Sequence, residues 1–476
     1  MTIADTRKKW LALIVLALGY LLIVLDVSIV NVALPSIRED LGFSEASLAW
    51  VINAYTLTFG GFMLLAGRLG DLYGHRRIFL LGVGLFTAAS AACGLAPSQE
   101  ILVGARAVQG IGGAIVAAVA LSLIMTLFTE PAERAKAMGV IGFVAAGGGS
   151  IGVLAGGVIT DLLTWNWIFL VNLPIGLAVI AFCLALLPGG AGRPGEARLD
   201  LGGAILVTGS LMLAVYAIVN GNDEGWTSGR TLGLLGAAAA GLVAFLVLES
   251  RVAAPLMPLG LFRLRSVAAS NVVGVLWSAA MFAMFFLSAL YLQLVLGYSP
   301  LEVGLAFLPA NLIMGAFSLG LSAKLVLRFG VKPPLVAGMG LVAAGLALFA
   351  RAPVDGSFAV DVLPSMIVLG FGIGMAMNPL LLAAMSDVAP EESGLASGVV
   401  NTSFMLGGAL GLAVLASVAA ARTGGDGSLA GLVDGYHAAF LIGTVFAIAA
   451  GTVAAVFMRG GAHAPAERGE EALHAA

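Results

Sequence analysis

Two charged side chains stand alone inside long apolar stretches of this sequence, and their chemistry needs an explanation. Asp26 interrupts the run LLIVLDVSIVNVALP at 21–35, and Arg106 interrupts another apolar run at about 100–127. A charged side chain in mid-membrane costs about 2.5–3.5 kcal/mol on insertion scales, so it normally faces a polar interior and has a partner. Burial favours the neutral form of a carboxylate and a nearby cation favours its charged form. We therefore predict that Asp26 is a proton-coupling carboxylate; the alternative is a fixed structural ion pair with Arg106.

Composition places these two side chains in a membrane. Of the 476 residues, 60% are hydrophobic and 10% are charged, whereas a soluble protein carries about 25% charged residues. The 65 glycines also indicate a membrane protein, because glycine is commoner in transmembrane helices than in soluble ones. Cys93 and Cys183 lie in apolar runs near opposite faces and are expected to be free thiols. The sequence therefore predicts an all-α polytopic protein of the cytoplasmic membrane.

Fourteen apolar runs have about the length of 20 residues that a membrane-crossing helix needs. An even number of spans places both termini on one side of the membrane. With both termini in the cytoplasm, 18 of the 23 lysines and arginines fall on the inner side, in agreement with the positive-inside rule. The predicted spans are approximately 11–34, 46–66, 77–96, 100–127, 138–160, 166–187, 199–219, 231–248, 267–296, 300–323, 333–350, 359–383, 394–420 and 437–458.

In this orientation Asp26 and Arg106 lie at similar depths. Span 1 runs outward and ends near Leu34, which places Asp26 about 12 Å below its outer end at 1.5 Å per residue. Span 4 runs inward from about Glu100, so Arg106 lies about 9 Å below the same face. We expect the two side chains to pair, directly or through water, and arginine suits this role because it stays charged.

Two local similarities at nearly the same spacing indicate an internal repeat. GRLGDLYGHRRIFLLG at 67–82 matches AKLVLRFGVKPPLVAG at 323–338 at an offset of 256 residues, and PAERAKAMG at 131–139 matches PEESGLASG at 390–398 at an offset of 259. Spans 1–6 are therefore a copy of spans 9–14, with spans 7 and 8 inserted as a hairpin. Parallel repeats with a substrate path between them are typical of secondary transporters. The predicted units are an N-terminal six-helix half (1–190), a two-helix insertion (191–254), a C-terminal six-helix half (255–458) and a disordered cytoplasmic tail (459–476).

Several stretches resemble one known transporter group. LDVSIVNVALP in span 1 resembles the first span of the 14-span drug:proton antiporters, the EmrB/QacA type of the major facilitator superfamily. RAVQGIGGA is similar to the span-4 motif at Arg106, Gln109 and Gly110. WNWIFLVNLPIG at 165–176 is similar to the start of span 6, with Asn166 in place of the usual arginine. The resemblance implies a major facilitator fold that works by alternating access, with a proton gradient as energy source and no cofactor.

The segment after span 2 carries a further resemblance. GRLGDLYGHRR has His75 where a basic residue is common and otherwise matches the family motif at Gly67, Asp71, Gly74, Arg76 and Arg77. An acid such as Asp71 can meet the N-terminal end of a helix dipole, or an arginine across the interface between the halves. By analogy with the family, we expect this loop to be a latch that favours the outward-facing state. The alternative is a basic turn that only sets the topology.

Span 5 contains a stripe of glycines. The family's antiporter motif has a Gly-Pro followed by Gly-Gly, whereas GGGSIGVLAGG at 147–157 has Val153 at the proline position. The spacing of Gly148, Gly152 and Gly156, with Gly157 beside them, still gives a small-residue face for close helix packing. Both tight packing and a role in exchange remain open for this stripe.

A set of polar, aromatic and methionine side chains is predicted to line a substrate cavity. Aromatic faces attract cations, and methionine surfaces adapt to varied shapes, so the set suits bulky lipophilic or cationic substrates. Ordinary packing is the alternative for each single residue. The candidates are Asn31, Asn53, Tyr55, Gln109, Trp277, Met281, Phe285, Gln293, Asn311 and Asn378.

The sequence lacks the common motifs of nucleotide-binding and metal-dependent proteins, and this reduces the number of possible functions. The sequence contains no G-x-x-x-x-G-K-[ST], H-E-x-x-H or C-x-x-C, so an ATP-driven pump, a metalloprotease and an enzyme in general are not expected. The resemblance to the drug:proton antiporters implies a secondary transporter that exports small lipophilic or cationic compounds, such as antibiotics, by proton antiport. The alternatives are a proton-coupled or facilitative transporter of an endogenous metabolite and, from another class, a channel or sensor. The expected partners are a small-molecule substrate, protons and the bilayer, with no nucleic acid, and a monomer is expected.

Overall fold

The computed structural model consists of helices throughout the part of the chain that it describes. The described residues are 3–458 apart from 129, 188–199, 253–254, 258, 386–387, 389–392 and 424–427. The predicted tail, 459–476, lies outside them, as do the first residues of the predicted insertion. Each of the fourteen predicted spans falls on one or more helices, which confirms the all-α fold class.

The first half contains eight helices, two of them single turns. Ser98 caps the helix that begins at Gln99, because its side chain accepts a hydrogen bond from the Ile101 backbone N–H. The segment 67–77 was predicted as a loop, and this is wrong. It is helical except at Gly74, whose φ of 91° is strained for residues with a side chain. The helices are α1 (Ile3–Leu41), α2 (Glu45–Leu48), α3 (Trp50–Tyr73), α4 (His75–Gly94), α5 (Gln99–Leu127), α6 (Pro131–Leu162), α7 (Trp167–Leu170) and α8 (Asn172–Leu186).

The remaining helices comprise a hairpin and the second half. A π-helical turn, Tyr291–Val295, extends α11, and a second one, Phe317–Leu321, separates α12 from α13. Gly320 in the second turn has a φ of 126°, which breaks the helix there. The helices are α9 (Leu201–Glu224), α10 (Gly229–Glu249), α11 (Arg265–Leu290), α12 (Pro300–Ala316), α13 (Ser322–Phe329), α14 (Lys332–Phe349), α15 (Leu363–Met385), α16 (Ser393–Thr423) and α17 (Leu429–Phe457).

Twelve helices in the described residues are long and apolar enough to cross a membrane. Two further apolar stretches, Gly147–Leu162 within α6 and Pro300–Ala316, which is α12, are shorter. They correspond to predicted spans 5 and 10. The count of fourteen spans therefore stays a prediction.

The two halves contact each other mainly along two helix pairs, α3 with α16 and α6 with α12. The apolar core shows where this contact is closest. One cluster joins Val30 and Leu34 of α1 to second-half side chains such as Trp277 and Phe307. A second cluster is built from first-half side chains, with Met405 of α16 packed against its edge. The halves thus share a core at the end of α1 that the predicted orientation places outside, here called the outer end.

The α9–α10 hairpin bridges the two halves. Gly61 of α3 packs against the side chain of Thr208 in α9, where an added Cβ would clash with its hydroxyl. At the other end of α9, Asn222 Nδ2 donates to the carbonyl oxygen of Ser417 in α16 at 2.7 Å. The hairpin therefore covers the seam between α3 and α16.

Candidate proton and substrate site

Asp26 and Arg106 form a direct ion pair inside the first half. Arg106 Nη1 lies 2.5 Å from Asp26 Oδ2, and both side chains are buried, with exposed fractions of 1% and 0%. Asp26 is on α1 and Arg106 on α5, 80 residues apart. The pairing inferred from equal depth is confirmed. A single isolated charge would not be tolerated at this burial, so each group depends on the other.

Uncharged side chains complete the coordination of the carboxylate. Asp26 Oδ1 accepts hydrogen bonds from Gln109 Nε2 at 2.7 Å and Asn172 Nδ2 at 3.1 Å. Both amides also donate to Ser90 Oγ, at 3.2 and 3.0 Å, and Ser90 Oγ donates to the Phe169 carbonyl at 2.9 Å. We call Asp26, Ser90, Arg106, Gln109 and Asn172 the Asp26 cluster. It draws on four helices, α1, α4, α5 and α8, so a change at Asp26 reaches all of them.

The guanidinium of Arg106 is fixed by more than the ion pair. Its Nε donates to the Val51 carbonyl at 2.9 Å, and its Nη1 also donates to Gln109 Oε1 at 2.8 Å. The guanidinium carbon lies 4.4 Å from the centroid of the Tyr55 ring and 5.6 Å from that of Phe169. Aromatic faces stabilise a cation by about 0.5–2 kcal/mol. Arg106 thereby ties the carboxylate to α3, the first-half helix that packs against α16.

Two members of the Asp26 cluster, Ser90 and Asn172, were not predicted as site residues. Each is an isolated polar residue in an apolar span, and that signal could have found them. Gln109 was predicted to line the substrate cavity; the structure places it in the Asp26 cluster, and its contact with a substrate stays a prediction. Its amide is fully buried and bonded to Asp26, Ser90 and Arg106, because it lies one helical turn from Arg106 on α5.

The glycine stripe of α6 packs directly on α1. An added Cβ would lie 2.9 Å from Leu21 at Gly148, 2.8 Å from Ser28 at Gly152 and 2.8 Å from the Ile29 carbonyl at Gly156. These contacts confirm the close-packing face and leave no room for larger side chains. The α1 residues touched here flank Asp26 on both sides.

Gly157, next to this stripe, faces the other half of the protein. An added Cβ there would lie 2.7 Å from the Pro300 carbonyl at the start of α12, and one on Gly304 would lie 2.9 Å from the Val153 carbonyl. Val153, which replaces the expected proline, is 5% exposed. The α6–α12 seam is thus a glycine-mediated contact between the halves.

The latch residues occupy the junction of α3 and α4. Arg76 Nη2 donates to the Leu184 carbonyl of α8 at 2.6 Å, within the first half, and the Arg77 side chain is exposed. Gly67 has open space around it, since an added Cβ would meet only Ala118, at 4.0 Å. The side chain of Asp71 lies outside the described part of the structure. The latch role stays a prediction.

Some of the predicted cavity residues lie at the interface between the halves. Gln293 Nε2 donates to the Val32 carbonyl at 2.8 Å, whereas Asn31 Nδ2 bonds the Val27 carbonyl of its own helix at 2.9 Å. Phe285 lies 5.6 Å from Phe307 between ring centroids. Gln293 therefore connects the two halves rather than only lining a space between them.

Three other predicted cavity residues are buried and carry polar atoms without a hydrogen-bond partner in the described structure. They are Asn53, with both amide atoms, Tyr55, with its hydroxyl, and Trp277, with its indole N–H. Asn53 and Trp277 are both 0% exposed. Asn311 is buried, and Met281 and Asn378 are half-buried. Contact of these residues with a substrate stays a prediction.

The described residues do not suggest a metal centre. No group of three or more His, Cys, Asp or Glu side chains is placed there to hold a metal ion. Cys93 and Cys183 are free and buried, as expected. The Cys93 thiol lies 3.5 Å from Gln109 Oε1, at the edge of the Asp26 cluster.

Two helical halves, a glycine-packed seam and a buried acid–base pair define the class of protein as a membrane transporter. The sequence profile of the Major Facilitator Superfamily matches residues 16–412, and the chain belongs to this family. The puromycin resistance protein Pur8 of Streptomyces alboniger is 41% identical over 448 residues, 93% of this chain and 89% of that protein. The cephamycin export protein CmcT of Amycolatopsis lactamdurans is 38% identical over 448 residues, 94% of this chain and 92% of that protein.

The fold has counterparts among solved structures. The nucleoside transporter NupG superposes with a TM-score of 0.67 at 13% sequence identity, and the match covers 94% of this chain and 100% of that one. At this level of identity the likeness concerns the fold alone. It agrees with the two-half architecture and leaves the substrate undetermined.

Proposed function

We propose that this protein exports small lipophilic or cationic compounds, antibiotics among them, in exchange for protons. Two relatives that match almost the whole chain are named for puromycin resistance and cephamycin export. We further infer that the protein works as a monomer in the cytoplasmic membrane, with both termini inside and the proton gradient as its energy source. The positive-inside distribution of lysine and arginine supports this orientation.

The observation that carries the proposal is the buried Asp26–Arg106 pair. Proton transfer to Asp26 forms an O–H bond on the carboxyl group and removes the negative charge opposite Arg106. The cation is then left buried without compensation, which is strongly unfavourable. A rearrangement that hydrates Arg106 or brings in another anion relieves this cost, so protonation can drive a change of conformation. Release of the proton restores the pair and reverses the change.

The packing of the halves supports alternating access. The shared core at the outer end and the hydrogen bond from Gln293 to Val32 hold the two halves together there. Asp26 lies on α1, which packs closely on the glycine face of α6 through Leu21 and Ser28. Movement of α1 would therefore change both the Asp26 cluster and the outer contact. We infer from these contacts that this conformation is closed at the outer end.

Substrate selectivity would depend on the surfaces between the halves. Phe285 and Phe307 form an aromatic pair there, and Met281 is half-buried beside them in the same core. Such surfaces suit lipophilic cations, through dispersion and cation–π contacts. Asn53 and Trp277 offer polar atoms without protein partners, which suits a substrate that carries hydrogen-bonding groups.

The test uses everted membrane vesicles that are acidified inside by respiration. Puromycin and a panel of lipophilic cations should release part of the proton gradient in vesicles with the wild-type protein. Asp26→Asn should abolish this release while the protein still reaches the membrane. Glu39→Gln, which changes an exposed acid near the end of the same helix, serves as the control and should behave as wild type. Equal release by wild type and Asp26→Asn would refute the proposed coupling.

A further inference from the structure

A second pair of buried acids lies at the base of the α9–α10 hairpin, away from the Asp26 cluster. Asp200 precedes α9 and is 6% exposed, and Glu249 ends α10 and is 3% exposed. The topology places this end of the hairpin on the cytoplasmic side. Buried carboxylates normally have a cationic or hydrogen-bonding partner. Neither acid has a role in the exchange proposed above.

Backbone donors hold one oxygen of Asp200 and both oxygens of Glu249. Asp200 Oδ1 accepts from the Gly203 N–H at 2.8 Å and so caps α9. Glu249 Oε2 accepts from the Met257 N–H at 2.9 Å, and Oε1 from the Leu256 N–H at 3.4 Å. Glu249 thus holds the segment 255–257, which leads toward α11. Asp200 Oδ2 is buried and has no hydrogen-bond partner in the described residues.

The free oxygen of Asp200 and one oxygen of Glu249 lie next to the same glycine, Gly203. An added Cβ on Gly203 would lie 2.5 Å from Asp200 Oδ2 and 2.8 Å from Glu249 Oε1. The two oxygens therefore converge on one place, and position 203 must lack a side chain to leave them room. Two neighbouring carboxylate oxygens that can only accept hydrogen bonds repel each other. A proton between them converts the repulsion into a hydrogen bond.

The charges around the pair do not compensate two anions. In the described structure neither carboxylate forms an ion pair with a lysine or arginine. Arg68 of α3 directs Nη2 to the Pro255 carbonyl at 2.6 Å, and Arg251 is exposed. The dipole of α9 favours a charge on Asp200, whereas that of α10 disfavours a charge on Glu249. Two adjacent buried carboxyl groups in such surroundings share one proton.

We propose that Asp200 and Glu249 form a second proton-binding site, in which one proton is held between Asp200 Oδ2 and Glu249 Oε1. Uptake forms an O–H bond on one carboxyl group, which donates to the other; release returns the proton to water and leaves two anions. The bound proton fixes the start of α9 to the end of α10 and to the segment 255–257. Because Arg68 holds the same segment from α3, the site links cytoplasmic pH to the junction between the hairpin and both halves.

The test detects the proton directly and does not require transport. Infrared difference spectra of the purified full-length protein between neutral and alkaline pH should contain the C=O band of a carboxylic acid. The spectra are recorded in an Asp26→Asn background, so that the proton exchange proposed for Asp26 does not contribute. Glu249→Gln and Asp200→Asn should each remove this band, and the control Glu39→Gln should leave it unchanged. Failure of the transport proposal would not affect this measurement.

Hydrogen–deuterium exchange of the peptide that contains 255–257 provides the second readout. After correction for the intrinsic rate, protection should fall at alkaline pH in the parent protein. It should stay constant in Glu249→Gln, because glutamine donates to Asp200 at every pH and still accepts from the backbone. An infrared band that survives both substitutions, or protection that falls equally with pH in Glu249→Gln, would overturn the proposal.

Discussion

Gln293 Nε2 donates a 2.8 Å hydrogen bond to the Val32 carbonyl, and this bond joins the two halves at the outer end of the bundle. A bond made in one conformer only changes the balance between conformers by its net free energy, about 1 kcal/mol. We predict that Gln293→Leu lowers the ratio of the outer-closed to the outer-open state about fivefold. Pulsed electron resonance distances between spin labels at the outer ends of α1 and α11 measure the two populations.

The matched control for this experiment is Gln99→Leu. Gln99 Nε2 donates to the Leu41 carbonyl at 2.9 Å, so the bond has the same chemistry but lies within the first half. Its loss should affect stability without moving the distance distribution. If Gln293→Leu leaves the distribution unchanged as well, the outer contact does not depend on this bond.

The second prediction separates an exchanging carboxylate from a fixed structural ion pair. Arg106→Met leaves Asp26 buried without its cation and should lower stability by about 3–5 kcal/mol. Adding Asp26→Asn removes the uncompensated charge, so the double variant should regain most of the lost stability. Thermal unfolding of the purified variants measures this recovery.

Transport by the double variant decides between the two roles. An exchanging carboxylate predicts that the stable double variant shows no substrate-induced proton release in vesicles. A purely structural pair predicts that transport returns together with stability. The wild type and each single variant, measured in the same membranes at matched protein levels, provide the comparison.

The third prediction concerns the glycine face of α6. Gly152→Ala would place a methyl group 2.8 Å from Ser28 and 3.2 Å from the Leu25 carbonyl, and overpacking of this kind costs about 1–3 kcal/mol. It should also slow transport, because the added methyl group hinders movement of α1 against α6. Gly147→Ala meets nothing within 4 Å and should be neutral or stabilise by up to about 1 kcal/mol through helix propensity. Unfolding temperatures and initial efflux rates of both variants test the difference.

The fourth prediction tests Asn172, which the sequence pattern did not reveal as a site residue. Asn172→Leu removes a donor to Asp26 and a donor to Ser90, and loss of hydrogen bonds to a buried charged group costs about 1–3 kcal/mol. We expect a marked loss of efflux with normal membrane insertion. Asn166→Leu removes a single bond to the Gly94 carbonyl and should change efflux little. Equal efflux by the two variants would contradict a role for Asn172 in the cluster.

The Asp26–Arg106 contact could be predicted because helix rise is fixed at about 1.5 Å per residue. Depth along a span follows from residue counting, and two lone charges at equal depth have few other partners. The glycine face of α6 could be predicted for a similar reason, since residues four apart share one side of a helix. The rotation of each helix about its axis does not follow from counting. For that reason the contact of Gln109 with Asp26 was not predicted. The loop predicted at 67–77 is instead two helices joined at Gly74.

By itself, the sequence determined the membrane class and the charged pair, because hydropathy and depth are local or one-dimensional properties; the duplication of the halves stays a prediction from the spacing of the repeats. Only the tertiary structure decided which uncharged groups surround that pair, and that Gln293 joins the two halves. It also brought Asp200 and Glu249 together, 49 residues apart along the chain. Such contacts depend on the rotation of each helix about its axis and on how the helices pack. Many side chains together determine this packing, so no single sequence motif reveals it.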